Sequence, residues 1–152
     1  MICGEGRAVI NASPRECIEF VLDLDRYRQA DTKIGKVKSV DRVSDTEFHA
    51  TFGARFRGVP TPAVTQIIKV TPWSAIDVVN APGWVDKLSR FEGSFRCEPV
   101  EGGTEVVHRE CLEFAAPVRR LAEAFLGKWL AADTKAEIER MKSLLEGSAG
   151  SS

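Results

Sequence analysis

His108 and Glu110 are the pair in this sequence best suited to moving a proton, because residues two apart on a strand share one face. There the carboxylate favours the imidazolium while partial burial opposes it. Such a pair suits withdrawal of a proton from an enolisable carbon and its return to a carbonyl or hydroxyl oxygen, the chemistry of cyclisation and dehydration. A slip of one residue would turn Arg109 inward instead, so a role for His108 and Glu110 as polar lining stands beside the catalytic one. Gln66 is the third polar candidate, and His49, on one face with Glu47 and Thr51, reads as solvated.

Other chemistries lack their residues. There is no Gly-x-Ser-x-Gly nucleophile turn, no Gly-x-Gly-x-x-Gly and no P-loop, so no cofactor is expected. Cys3, Cys17, Cys97 and Cys111 form no C-x-x-C pair, and only His49 and His108 could join them in a cluster, so no metal site is expected either. The cysteines read as small buried hydrophobes of a reduced, cytoplasmic protein. With 21 basic and 22 acidic residues the formal charge is -1, which favours neither nucleic acid nor anionic lipid as a partner. No apolar run approaches the ~20 residues of a membrane span, so stable insertion is not expected.

The elements that must position these groups follow from spacing. Gly6 to Asn11 is a short β-prone run, and Ser13-Pro14-Arg15-Glu16 is a helix start with an N-cap, a proline at the first position and a capping-box glutamate. A second short helix is expected at Arg26 to Asp31. From Lys36 the period becomes two, clearest where Phe48, Ala50, Phe52, Ala54 and Phe56 alternate with polar neighbours. Further strands are expected at Ala63 to Thr71, Ala75 to Asn80, Lys87 to Glu98 and Thr104 to Phe114, joined by short turns and hence antiparallel. A long helix, Val118 to Gly147, offers Leu121, Phe125, Trp129, Ala132, Ala136, Ile138, Met141 and Leu145 as its inward stripe. The 152 residues suit one α+β domain, 1–147, with a flexible tail at 148–152.

Val9-Ile10-Asn11-Ala12-Ser13-Pro14, the segment Glu16 to Tyr27, Gly102-Gly103-Thr104-Glu105-Val106 and Glu139 to Glu146 together resemble the polyketide cyclase/dehydrase and lipid-transport proteins of the START/Bet v1-like (SRPBCC) superfamily, over residues 6 to 146. The resemblance implies a helix-grip fold: a seven-stranded antiparallel sheet wrapped around the C-terminal helix, two short helices after the first strand, and an apolar cavity between sheet and helix. It implies a small hydrophobic ligand, a lipid, steroid or polyketide-like compound. The expected lining is Phe48, Phe52, Val64, Gln66, Ile68, Phe91, Phe95, Val106, His108 and Glu110 from the sheet and Phe125, Trp129 and Ala132 from the helix. Tyr27 is expected at the rim with its hydroxyl free, and Trp84 as a gate.

One departure bears on activity. The aromatic polyketide cyclases carry an arginine as proposed acid on the strand corresponding to Ala63 to Thr71, and here the inward slot reads Val70. Ligand binding is therefore the first reading, and a cyclase or dehydratase using His108 and Glu110 the second. The third is a protein-interaction or quinone-chaperone-like module, which would need an exposed apolar or basic patch that the even charge pattern does not predict. Monomer and homodimer are both compatible with a sheet that has an open edge.

Overall fold

The computed structural model describes residues 1–150, with side chains through Gly147. Ser13 accepts from the Glu16 backbone N–H and Glu16 reaches back to the Ser13 N–H, both at 3.1 Å, so the capping box starts α1 (Pro14–Leu22). Asp23 then ends α1 and caps α2 (Leu24–Tyr27), which places the second helix earlier than the expected Arg26 to Asp31. A short α3 (Trp84–Leu88) follows the Ala81-Pro82-Gly83 turn and takes the first two residues, Lys87 and Leu88, of the expected strand Lys87 to Glu98.

Before, between and after these helices run β1 (Ile2–Ile10), β2 (Ile34–Arg42), β3 (Glu47–Phe56), β4 (Val59–Thr71), β5 (Ala75–Asn80), β6 (Ser89–Val100) and β7 (Gly103–Phe114). They form one antiparallel sheet in the order β1-β7-β6-β5-β4-β3-β2. Arg57 and Gly58, both at positive φ, make the two-residue β3–β4 turn, the backbone that matches strand twist in a tight hairpin. This seven-stranded sheet grips a long helix, α4 (Ala116–Gly150), which lies against β1 and β7. The α4 backbone is helical to Gly150; residues 151 and 152, the end of the expected flexible tail, lie outside the described residues.

The inward face of α4 is the expected one at Ile138, Met141 and Leu145, but N-terminal to them it is turned from the expected one. Leu126, Leu130, Thr134, Glu137, Ile138, Met141 and Leu145 are buried, whereas Leu121 is 78% exposed and Ala132 faces solvent. A stripe chosen by hydropathy skips Thr134 and Glu137, and those two buried polar residues set the true phase. The filled core lies toward α1, where Ile10, Cys17, Ile18, Phe20, Cys97, Val106 and Met141 pack together. Toward α3 and the β3–β4 turn the sheet and α4 diverge and leave a cavity.

The cysteines divide. Cys17 and Cys97 are free and buried, and burial raises their thiols to about 11 and about 12. Cys3 and Cys111, expected as reduced thiols, are directly opposed on β1 and β7 and joined by a disulfide. Their separation of 108 residues hides the pairing from any local motif. Among the described residues no helix is long and apolar enough to cross a membrane.

Candidate functional site

The register of the sheet aims His108 and Glu110 inward from β7, opposite Phe95 and Gly93 of β6. Phe52, Val64, Gln66 and Phe91 line a cavity of about 350 Å³ between sheet and helix. The rest of its wall is largely apolar, with Ala54, Phe56, Leu112, Phe114 and Leu126. At its deep end stand Asp31, Lys33 and Glu110. Behind Glu110 is a smaller chamber of about 50 Å³, lined by Tyr27, Ile68, Phe95, His108 and Glu137 among others.

Not every expected residue reaches this space. Val106 is fully buried in the filled core, and Phe48 packs at the edge of that core. Trp129 meets Phe56 edge-on, 6.3 Å between ring centroids, and Ala132 points to solvent, both following from the turned phase of α4. Tyr27 is not at a rim with a free hydroxyl: it is buried at the inner end and donates to Glu137 Oε1. Trp84, 61% exposed, and Phe125, 46% exposed, stand at the mouth with Val59 and Leu88. Arg57 covers the Phe125 ring and donates to the Phe125 carbonyl at 3.0 Å. The mouth thus carries an exposed apolar rim that the even charge pattern did not suggest.

The centre of the site is a residue that the sequence reading passed over. Lys33, on the loop before β2, is buried, and its ammonium contacts Asp31 Oδ1 at 2.9 Å, Asp133 Oδ2 at 3.0 Å, Glu137 Oε2 at 2.8 Å and Glu110 Oε2 at 3.2 Å. Asp133 also pairs with Arg140, and Thr134 donates to Glu110 Oε2 at 3.4 Å. The detectable signal was Asp133 and Glu137, one helical turn apart in the long helix.

On the far side of the same carboxylates sits His108. Its Nδ1 donates to the Ser94 carbonyl at 3.0 Å, and its ring stacks on Phe95 with centroids 4.0 Å apart. Its Nε2 is 3.2 Å from Glu110 Oε1 and 3.1 Å from Glu137 Oε1, yet neither oxygen lies along the N–H direction, so both contacts are electrostatic.

Burial disfavours every charge here, and the neighbours decide the outcome. Burial lowers Lys33 and His108, but the carboxylates around them override it and hold both well above their ordinary values. Burial raises Glu137, but Lys33 and His108 override it and hold that carboxyl low. Asp31 moves the other way: burial and Glu137 push it up to about 7 against the pull of Lys33. Burial and Glu137 also raise the Tyr27 phenol.

Stability is therefore expected to fall as pH rises through neutrality. Between its ordinary 3.8 and about 7, Asp31 keeps in the folded state a proton that the unfolded chain has lost, so stability declines over that window. His108 extends the decline above 6.5, and Glu137 opposes it only below 4.5. Urea denaturation from pH 4.5 to 8 measures the slope, and Asp31→Asn is expected to flatten the limb below 7. A wild-type stability that rises across this window would contradict the assignment.

The family model described as polyketide cyclase / dehydrase and lipid transport matches residues 1–146. No curated protein sequence matches the chain. Among solved structures, the di-domain aromatase/cyclase StfQ of the steffimycin biosynthetic pathway superposes with a TM-score of 0.76 at 11% identity, covering 98% of this chain and 52% of that one. This chain thus spans about half the length of the di-domain protein. TTHA0849 of Thermus thermophilus gives a TM-score of 0.69 at 16% identity, covering 96% and 98% of the two chains. The Zhui aromatase/cyclase of Streptomyces sp. R1128 gives 0.65 at 13%, covering 93% of each. At these identities the likeness is one of fold.

Proposed function

Because this chain belongs to the polyketide cyclase/dehydrase and lipid-transport family, we propose that it binds a small, mostly apolar molecule with one polar end, such as a lipid, steroid or polyketide-like compound, in the cavity between the sheet and α4. One observation carries the reading: a space of about 350 Å³ walled mostly by aliphatic and aromatic side chains has its charged lining, Asp31, Lys33 and Glu110, together at one end. That volume lies at the lower end of the ~300–1,000 Å³ typical of small-molecule sites, whose few polar groups fix orientation. Phe52, Phe91 and Leu112 offer the apolar contact, and Asp31, Lys33 and Glu110 offer hydrogen-bonding partners for a hydroxyl or carbonyl.

Native mass spectrometry of freshly purified protein tests the proposal by the mass of what travels with it. Val64→Trp, which fills the cavity from β4, is expected to weaken binding of an apolar fluorescent probe by at least about tenfold, roughly 1.4 kcal/mol. Equal affinity of parent and variant would sink the reading.

A second reading, cyclase or dehydratase, is favoured by the position of Glu110, which lines both the cavity and the inner chamber that holds His108. The acid/base pair would then act on the polar end of the ligand. Val70 in place of the cyclase arginine removes one proposed acid, and Lys69 and Arg90 are exposed and offer no substitute. Turnover of an aromatic or polyketide-like compound that His108→Gln abolishes without loss of affinity would favour the enzyme; binding without turnover would leave the ligand-binding module.

A further inference from the structure

Two groups of carboxylate and imidazole ligands lie within this site, and they differ in one respect. Asp31, Asp133 and Glu137 already surround a cation, the Lys33 ammonium, at 2.8 to 3.0 Å. His108, Glu110 and Glu137 differ: their ligand atoms lie within 4.8 Å of one another, all three residues are buried, and His108 Nε2 meets the two carboxylates without making a hydrogen bond. A buried nitrogen that makes no hydrogen bond costs free energy unless another partner satisfies it.

We propose that His108 Nε2, Glu110 Oε1 and Glu137 Oε1 form a binding site for one divalent transition-metal ion of the Zn²⁺, Mn²⁺ or Fe²⁺ class, which takes the place of the Nε2 proton and releases it to solvent. Ligands at bonds of about 2.1 Å stand about 3.0 Å apart when cis on an octahedral ion and about 3.4 Å apart on a tetrahedral one. Nε2 lies 3.2 and 3.1 Å from the two oxygens. The outer shell is already arranged for metal: His108 gives its Nδ1–H to the Ser94 carbonyl, the partner that leaves Nε2 as the ligating atom. Each glutamate gives its other oxygen, Oε2, to Lys33, and so turns Oε1 toward the histidine. Tyr27 contacts Glu137 Oε1 and stands beside the proposed ion. The chamber of about 50 Å³ has room for an ion and one water, since a water's share of liquid volume is about 30 Å³.

One imidazole with two carboxylates is a borderline-to-hard set, which selects these ions over soft Cu⁺. Three protein ligands leave coordination positions open, as catalytic rather than structural sites do. Glu110 lines both spaces, so those positions adjoin the deep end of the cavity, where the polar end of a ligand would lie. The expectation of no metal counted cysteine and histidine ligands alone and so overlooked two glutamates.

The site is testable without knowing the ligand. Protein stripped with a chelator is titrated calorimetrically with Zn²⁺ and with Mn²⁺. One ion per chain is expected, with affinity lowered at least about 100-fold in His108→Gln, more than the 10–100-fold usual for outer-shell changes. His49→Gln, which removes the surface His49–Glu47 pair, is expected to leave affinity unchanged. No saturable binding, or binding lost in His49→Gln and kept in His108→Gln, overturns the proposal. If His108→Gln fails to fold, Mn²⁺ line broadening in the NMR spectrum of the parent decides. Broadening centred on the His108 ring and its Ser94 and Phe95 neighbours supports the site, and broadening centred on His49 or none at all refutes it. Neither experiment depends on the cavity being occupied, so the ligand-binding proposal and the metal site stand or fall separately.

Discussion

Lys33→Met is expected to destabilise the protein by about 3–5 kcal/mol at pH 7, the cost of removing one partner from a buried ion pair. Lys33 is the shared counter-ion of four carboxylates, Asp31, Glu110, Asp133 and Glu137, and it is buried with them. Without it, His108 is the one cation left to Glu110 and Glu137, and Asp133 keeps Arg140. Methionine fills the volume but offers no charge, so the folded state must take up protons. The variant's stability should then fall more steeply with rising pH than the parent's, because carboxyls held above their unfolded values stabilise only below those values. Urea denaturation at pH 5 and pH 7.5 measures both effects. A loss under 1 kcal/mol at pH 7.5, or a loss that is equal at both pH values, would show that the cluster is solvated enough to do without its ammonium. Lys33→Met with Glu137→Gln, which removes one cation and one anion, should recover part of the loss, since neutralising both partners strands fewer charges.

That such a residue escaped the sequence reading has a physical reason. Hydropathy patterning sorts side chains by where their type usually lies, and a lysine on a loop is usually solvated. Burial of Lys33 depends on Asp133 and Glu137 arriving from α4, about a hundred residues away. The same two-way dependence misplaced the face of α4: Thr134 and Glu137 are inward because Lys33, His108 and Glu110 await them. The stripe from Leu121 to Ala132 was the more apolar choice and the wrong one. Strands were easier, because a period of two leaves only two phases and the phenylalanines of β3 decide between them. From that phase, with the family pattern, the inward aim of Gln66, Phe91, His108 and Glu110 was legible. The Cys3–Cys111 pair was not, since it requires knowing that β1 closes beside β7.

The closeness of α4 to the sheet is itself written in two residues, and Gly6→Ala is expected to show it. Gly4 and Gly6 of β1 sit directly across from Glu110 and His108 of β7. A Cβ at Gly6 would come within 2.7 Å of the Thr134 carbonyl oxygen and 3.1 Å of the Lys135 Cα, and one at Gly4 within 2.7 Å of the Leu130 carbonyl oxygen. These are helix backbone atoms, which no rotamer change relieves, so α4 must lift away from β1. Overpacking a filled interior costs about 1–3 kcal/mol, and a rigid backbone neighbour puts Gly6→Ala at the upper end of that range. Lifting α4 carries Glu137 away from His108 and Lys33, so the variant should also lose part of the stability decline above pH 6.5 that the Glu137–His108 contact sets. Gly53→Ala is the control: no atom lies within 4 Å of its added Cβ, and it should be neutral or slightly stabilising. If Gly6→Ala matches the parent in denaturation midpoint and pH slope, the helix does not rest on β1 as closely as the site requires. The carboxylates of α4 would then not reach the imidazole of β7.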